Sequence, residues 1–155
     1  MDSLETTTWV IDWVWSLPLM LLTVIAHVFG LAFINDTTIA ILKDIPARRR
    51  FMYRFAVVMT VAVLLMILLH ALEAVAWGLA YVAIGLFPNT RSAMLYSLGA
   101  MTGFGAGSLS LPARWLMMGV LQSLAGLLLF GLTTAFMFGM IQAVWPVRTG
   151  TQLKS

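Results

Sequence analysis

One short segment of the chain has a pattern suited to ion coordination by the backbone. Glycine occupies every second position of a six-residue run: Thr102, Gly103, Phe104, Gly105, Ala106 and Gly107. Because glycine adopts backbone torsions that other residues avoid, such a run can turn several carbonyl oxygens toward one axis. Rings of carbonyl oxygens can replace the hydration shell of a cation. The run therefore predicts ion coordination without a metal-binding side chain and without a cofactor.

Ionisable side chains also lie within strongly apolar segments. His70 and Glu73 are three residues apart, so they share a face of a helix. Trp77 and Tyr81 extend that face at steps of four. Because an ionisable residue inside a membrane is costly and usually faces protein, we expect Glu73 to face protein, and a local pair with His70 is the simplest arrangement. His27 is expected to be an isolated, packed polar residue.

The composition indicates a membrane protein. Of the 155 residues, 61% are hydrophobic and 10% are charged, and a soluble domain of this length cannot bury so much apolar surface. A helix needs roughly 20 apolar residues to cross about 30 Å of hydrocarbon. Three segments are long enough: 9–33, 51–87 and 116–145. Cysteine is absent, which excludes disulfides and thiolate metal sites.

The distribution of positive charge predicts the orientation. Basic residues lie between the first two segments, at the start of the second and after the third: Lys43, Arg48, Arg49, Arg50, Arg54, Arg148 and Lys154. Because cytoplasmic loops carry the excess of Lys and Arg, both regions should be cytoplasmic and the N-terminus should lie outside. The tryptophans Trp9, Trp13 and Trp15 then fit an outer aromatic belt, and Trp145 an inner one. The N-terminus lacks the basic region of a cleaved signal peptide.

The connection between the second and third segments contains a second short helical pattern. Phe87–Thr90 predicts a turn, in which Asn89 or Thr90 can cap a helix from Arg91 to Met101 that is too short to cross a membrane. The glycine run and Leu111-Pro112 then lead to the third segment. This order is typical of a re-entrant pore loop, whose non-helical backbone is tolerated in a membrane only where it is buried in protein or lines water. The simpler alternative is a glycine-rich external turn.

The segment from Ser97 to Trp115 resembles the filter region of the tetrameric potassium channels with a two-helix pore. In that family Thr-Val-Gly-Tyr-Gly-Asp follows a pore helix, and a Trp comes a few residues later. Aligned without gaps, Gly105-Ala106-Gly107 falls on Gly-Tyr-Gly and Ser108 falls on the Asp. Phe130-Gly131-Leu132-Thr133-Thr134-Ala135 resembles the family's inner helix. His70-Ala71-Leu72-Glu73 resembles a motif of bacterial members that carry an extra N-terminal helix.

The resemblance implies an all-α membrane protein of three transmembrane helices, with a re-entrant pore helix and filter loop between the second and third. One loop cannot close a ring of carbonyls, so the functional unit would be a homotetramer. The expected organisation is an outer tail at 1–8, a peripheral transmembrane helix at 9–33, a basic cytoplasmic linker at 34–50, a pore domain at 51–145 and a cytoplasmic tail at 146–155. Filter support is assigned to Glu73, His70 and Ser108. An inner-helix hinge or cavity is assigned to Gly126, Gly131, Thr133 and Thr134.

Several positions depart from the family pattern. Gly103 lacks the hydroxyl of the filter Thr, Ala106 lacks the aromatic ring that props the filter, and Ser108 lacks the acid at the mouth. Gly99 stands where many members have a pore-helix Glu that braces the filter from behind. The resemblance therefore implies a substitute brace from Glu73 to the backbone of the pore helix or filter, and the alternative is a His70–Glu73 pair that is satisfied locally. A second register places Gly103-Phe104-Gly105 on Gly-Tyr-Gly. This register requires a two-residue shift in the alignment of the segments on both sides of the glycine run. In both registers the filter Thr is missing, which predicts weak or absent potassium selectivity.

These observations predict passive cation conduction, with potassium and sodium as permeating ions. The expected location is the inner membrane of a bacterium. The expected partners are further copies of the chain and membrane lipids, with no nucleic acid. The alternative is a non-conducting structural or regulatory membrane protein that retains the fold. An enzyme is not expected, because no nucleophile and base are suitably arranged in the sequence.

Overall fold

The computed structural model describes residues 2–43 and 51–144, and within these ranges it is helical without a strand. The long helices are α1 (Asp2–Lys43), α2 (Phe51–Ala83) and α4 (Leu116–Val144), and the shorter α3 (Thr90–Thr102) lies between α2 and α4 in the chain. A 3₁₀ turn at Ala113–Trp115 leads into α4. Three apolar stretches are long enough to cross a membrane: Val10–Ile41, Met52–Ala83 and Ala113–Gln142. The prediction of an all-α protein with three such helices is therefore confirmed.

Helix α1 is longer than the sequence analysis predicts. It includes Asp2 and continues to Lys43, so it covers most of the expected outer tail and ten residues, 34–43, of the expected linker. No glycine or proline interrupts the chain between Phe33 and Lys43. The polar residues there are compatible with a helix, since the Thr37 hydroxyl donates to the Phe33 carbonyl at 2.8 Å. The change from apolar to more polar residues after Phe33 therefore does not end α1.

Helix α2 ends four residues before the predicted Phe87. Gly85 has a φ of 77°, which only glycine adopts readily. The amide of Gly85 donates to the Val82 carbonyl at 2.9 Å, and the amide of Leu86 donates to the Tyr81 carbonyl at 3.0 Å. This pair of hydrogen bonds is the Schellman motif, which satisfies the last carbonyls of a helix. The glycine therefore ends α2 although the chain stays apolar.

Helix α3 lies within one residue of its predicted bounds at each end. The Asn89 side chain accepts a hydrogen bond from the Ser92 amide at 2.8 Å, so Asn89 rather than Thr90 is the N-cap. At the other end, Gly103 has a φ of 68° and its amide donates to the Ala100 carbonyl at 3.2 Å. The glycine run thus begins as the C-cap of α3.

The chain forms two compact units. Of the described residues, the first unit comprises those up to His27 together with His70–Phe130, and the second comprises those of 28–69 together with 131–144. The core of the first unit is a cluster of buried residues from α2, α3, the loop after α3, the 3₁₀ turn and α4: Trp77, Tyr81, Ala93, Leu111, Trp115 and Met118. The core of the second unit is a separate buried cluster: Leu31, Ile34, Ala62, Met66 and Met140.

Some predicted features lie outside the described residues. These are the basic cluster Arg48, Arg49 and Arg50, the inner-belt residue Trp145, and the tail at 146–155 with its Arg148 and Lys154. Gly131, Thr133 and Thr134 belong to the second unit, whereas all other predicted site residues belong to the first.

Candidate functional site

Helix α3 packs along the inner part of α2. Ala93, near its start, is fully buried in the cluster that contains Trp77 and Tyr81. One turn further, the Ser97 hydroxyl donates to the Ala74 carbonyl at 2.7 Å. Ala74 lies nine residues before the end of α2, which is about 13 Å along the helix axis at 1.5 Å per residue. Helix α3 therefore lies beside α2 well inside the length of that helix.

A buried hydrogen-bond network joins α2, α3 and α4. The Tyr81 hydroxyl donates to Gln122 Oε1 at 2.7 Å. The amide group of Gln122 donates to the Ser97 hydroxyl at 2.7 Å and to the Ser97 carbonyl at 3.1 Å. All three side chains are at most 1% exposed. The sequence analysis missed Ser97 and Gln122, although a glutamine within an apolar helix signals a buried partner.

Two glycines let α4 and the glycine run approach α3 closely. A Cβ at Gly126 would collide with the backbone of Met101, including its carbonyl oxygen. A Cβ at Gly99 would collide with the backbone of Gly105. Gly126, predicted as a hinge, is thus a close-packing position within the continuous helix α4, and its bending remains a prediction.

The phenol of Tyr96 provides a third contact between α3 and α4. A Cβ at Gly119 would collide with the Tyr96 hydroxyl, so a larger residue at 119 would displace the ring.

The glycine run has a backbone in which the sign of φ alternates. Gly103, Gly105 and Gly107 have φ values of 68°, 83° and 61°, whereas Phe104 and Ala106 have no positive φ. The Gly105 amide donates to the Gly99 carbonyl at 3.0 Å, which ties the run to the last turn of α3. Every glycine therefore stands where another residue would be strained.

Most of the glycine run is exposed in the single chain. Phe104 is 93% exposed, and Ala106 is half-buried. The Thr102 hydroxyl donates back to the Leu98 carbonyl of its own helix at 2.8 Å. Ser108, expected to support the filter, is exposed, as are Arg91 and Arg114, and residues 87–114 contain no acid.

Three ionisable residues of the first unit form a buried cluster, which we call the histidine–glutamate cluster: His27, His70 and Glu73. His27 Nδ1 lies 2.7 Å from Glu73 Oε1, and His70 Nδ1 lies 3.4 Å from Glu73 Oε2. The exposed fractions of the three residues are 0%, 8% and 3%. The prediction that His27 is isolated is therefore wrong. Spacing along one helix predicted the pairing of His70 with Glu73 but not which residue of another helix would meet them.

The position of Glu73 on α2 also explains why it does not brace the glycine run in this structure. Successive residues of a helix point about 100° apart. The Ala74 carbonyl accepts from Ser97 of α3, whereas the Glu73 carboxylate contacts His27 of α1 and His70 of its own helix. The predicted contact between His70 and Glu73 is present, but the pair is not satisfied locally, because the shorter contact of Glu73 is to His27 of α1.

Helix α1 contributes to the first unit through a polar stripe. Asp12, Ser16, Thr23 and His27 are all buried, and their spacing of four, seven and four residues places them on one face of the helix. Leu19 and Met20 pack against the core cluster around Trp77. The residues of α1 up to His27 therefore pack against the rest of the first unit, because polar groups in an apolar helix must face protein. That this helix is peripheral to a pore remains a prediction.

Comparison with known proteins identifies no relative of this chain. No family model, no curated protein and no solved structure matches this chain. The resemblance to the tetrameric potassium channels therefore rests on the residue patterns of the glycine run and its flanks alone.

Proposed function

We propose that this chain is the subunit of a passive cation channel, a divergent relative of the tetrameric potassium channels. The observation that carries the proposal is the placement of a short helix and a glycine run between two long apolar helices. Ser97 of α3 contacts Ala74 of α2, and Met101 closely approaches Gly126 of α4. Ala74 lies nine residues before the end of α2 and Gly126 lies ten residues after the start of α4, which supports a position of the following run within the membrane region.

The exposed backbone of the glycine run supports this function by its physical requirements. Non-helical backbone at membrane depth is tolerated only where it is buried in protein or lines water. Most of Gly103–Gly107 is not buried by protein within one chain. Further copies of the chain and a water-filled axis would therefore provide the surroundings that this backbone requires. The C-terminal end of α3 carries partial negative charge, which favours cations beside the run.

Assembly follows from the same requirement. One glycine run offers one set of carbonyl oxygens, and a ring that replaces the hydration shell of an ion needs several. Closed cyclic symmetry supplies identical copies around one axis. We propose four copies, as in the family that the run resembles, in the inner membrane of a bacterium, with the N-terminus outside and lipids around the outer surface.

The chemistry of the run supports conduction with little discrimination between potassium and sodium. Gly103 offers no hydroxyl to an ion, and Ala106 offers no aromatic ring to stiffen the loop. The absence of Asp and Glu from residues 87–114 favours the second candidate, a non-conducting membrane protein with the same architecture, because cation channels usually gather acids at the entrance.

Ion flux in liposomes separates the two candidates. We expect the purified protein to pass potassium and sodium but not chloride. A tenfold permeability preference corresponds to about 59 mV for a monovalent ion, and we expect the reversal potential between potassium and sodium solutions to stay within about that value. A larger preference for potassium would contradict weak selectivity, and the absence of all flux would favour the non-conducting protein.

The matched variants are Gly105→Ala and Gly85→Ala. Both glycines have positive φ, 83° and 77°, and neither has a neighbour within 4 Å of an added Cβ. The backbone penalty for alanine in this region is similar in both, roughly 1–2 kcal/mol. We expect Gly105→Ala to abolish most of the flux and Gly85→Ala to retain it. Equal effects of both would mean that general strain, and not the glycine run, limits conduction.

A further inference from the structure

We propose that the histidine–glutamate cluster is a binding site for a divalent transition metal ion, for which zinc fits best. The cluster joins His27 of α1 with His70 and Glu73 of α2 inside the first unit. This site is separate from the glycine run and does not depend on ion conduction.

The spacing of the donor atoms matches the coordination shell of zinc. One donor atom from each of the three residues lies within 4.8 Å of the other two. Zinc binds imidazole nitrogen and carboxylate oxygen at about 2.0–2.2 Å in a tetrahedron, whose edges are then about 3.3 Å. His27 Nδ1 lies 2.7 Å from Glu73 Oε1, and His70 Nδ1 lies 3.4 Å from the other carboxylate oxygen, Oε2. Rotation of the carboxylate and of the imidazole rings would therefore be needed to place one donor atom of each residue around a single ion.

The donor types select the class of metal. Two imidazoles and one carboxylate suit zinc, iron or copper, whereas magnesium and calcium prefer oxygen ligands alone. Three protein ligands leave the fourth position of a tetrahedron for water or another small ligand.

The burial of Glu73 provides an independent argument for a ligand. Its carboxylate is 3% exposed, and within the described part of the chain Oε2 has no hydrogen-bond partner. A buried carboxylate needs a compensating charge or hydrogen bonds. A divalent cation between the two histidines would bind Oε2 directly and supply that compensation.

A bound ion would also fix the arrangement of three helices. It would connect α1 to α2 through His27. The ring of His70 stacks on Phe130 of α4, with centroids 4.1 Å apart and planes 16° apart, and that stacking limits how the ring can rotate. Zinc would therefore act as a structural or regulatory ion for the first unit.

The test uses tag-free protein in detergent, stripped of metal with a chelator and titrated with cobalt and then zinc. We expect about one ion per chain, intense visible absorption from four-coordinate cobalt, and its loss as zinc replaces cobalt. X-ray absorption of the zinc-loaded protein should show two imidazole ligands. The absence of metal uptake by the folded protein, or an X-ray spectrum without imidazole ligands, overturns the proposal without reference to any variant.

The variants are His27→Gln, His70→Gln and Glu73→Gln, with Thr23→Val as the matched control. Thr23 is buried on the same face of α1, but its hydroxyl bonds only to the carbonyls of Leu19 and Met20. Loss of a ligand should reduce zinc affinity more than the roughly 10- to 100-fold that loss of a second-shell partner causes, and Thr23→Val should bind as the wild type does. Equal binding by all five proteins would mean that zinc binds elsewhere, which contradicts the proposal.

Discussion

Three buried polar side chains of the first unit, Tyr81, Ser97 and Gln122, are hydrogen-bonded to residues of other helices. Gln122 is central, because its amide group contacts Tyr81 of α2 and Ser97 of α3 at once. A net hydrogen bond contributes only about 1 kcal/mol, but a buried group left without a partner costs about 1–3 kcal/mol. The network therefore specifies which faces of α2, α3 and α4 meet more than it adds to the free energy of unfolding.

Replacement of Gln122 by leucine should therefore destabilise the fold. The change leaves the Tyr81 hydroxyl and the Ser97 carbonyl without their amide partner, and we expect a loss of about 1–3 kcal/mol in the free energy of unfolding. The measurement is unfolding of the protein in detergent, followed by tryptophan fluorescence. Ser123→Ala is the control, because the half-buried Ser123 hydroxyl bonds only to the Gly119 carbonyl of its own helix at 3.1 Å, and we expect a change within about 0.5 kcal/mol.

A double substitution tests whether the network acts as a unit. Tyr81→Phe removes the hydroxyl that Gln122→Leu leaves without a partner, so the combined loss should be smaller than the sum of the two single losses. Additive losses would indicate that the two side chains act independently and that the network is not coupled.

Pairing within one helix could be predicted from the sequence, whereas pairing between helices could not. The three-residue spacing of His70 and Glu73 placed them on one face, which the structure confirms. Nothing in the spacing along the chain relates His27 to Glu73, because 46 residues separate them. The same limit explains why Ser97 and Gln122 were missed: the rotation of each helix about its axis is set by packing.

The helices were predictable where local signals mark their ends. Asn89 and Gly103 are strong cap residues, and the bounds of α3 follow from them within one residue. Residues 34–43 contain no such stop signal. The end of α1 was predicted from polarity alone, and it was therefore placed too early in the chain. Gly85 did carry a stop signal for α2, but the apolar Ile84 and Leu86 beside it suggested that the span continued.

The close approach of α4 to α3 predicts opposite effects of alanine at two glycines of one helix. At Gly126 a Cβ would collide with the Met101 backbone, whereas at Gly131 it meets nothing within 4 Å. We expect Gly126→Ala to lower the free energy of unfolding by about 1–3 kcal/mol. Gly131→Ala should raise it by about 0.5–1 kcal/mol, because glycine disfavours a helix interior. The measurement is the same detergent unfolding as for Gln122.

The two variants are matched in residue type and helix, so their difference isolates the contact with Met101. Similar effects of both substitutions would show that Gly126 tolerates a Cβ and that α3 does not pack against α4 at this point. A loss of ion flux in Gly131→Ala without a loss of stability would instead support the predicted role of Gly131 in bending α4.

The assembly of the molecule decides whether the glycine run can function, because the run is largely exposed in one chain. If four copies share one pore, a single defective copy disrupts the whole ring. If each chain conducts by itself, a defective copy removes only its own share of the flux. The number of copies in the conducting unit can therefore be determined by measuring how ion flux decreases as the proportion of defective chains increases.

The last prediction concerns liposomes that contain wild-type and Gly105→Ala chains, co-expressed in known proportions. With equal amounts of the two and random mixing, a tetramer in which every copy must be intact retains about one-sixteenth of the wild-type flux, and a dimer retains about one quarter. Independent chains retain about half. Substitution of Gly85→Ala for Gly105→Ala in the same mixtures should leave the flux near its wild-type value, since Gly85 lies in the turn after α2 and outside the glycine run. A decline in direct proportion to the fraction of Gly105→Ala would contradict a shared pore, because a ring of carbonyl oxygens requires every copy to contribute its own glycine run.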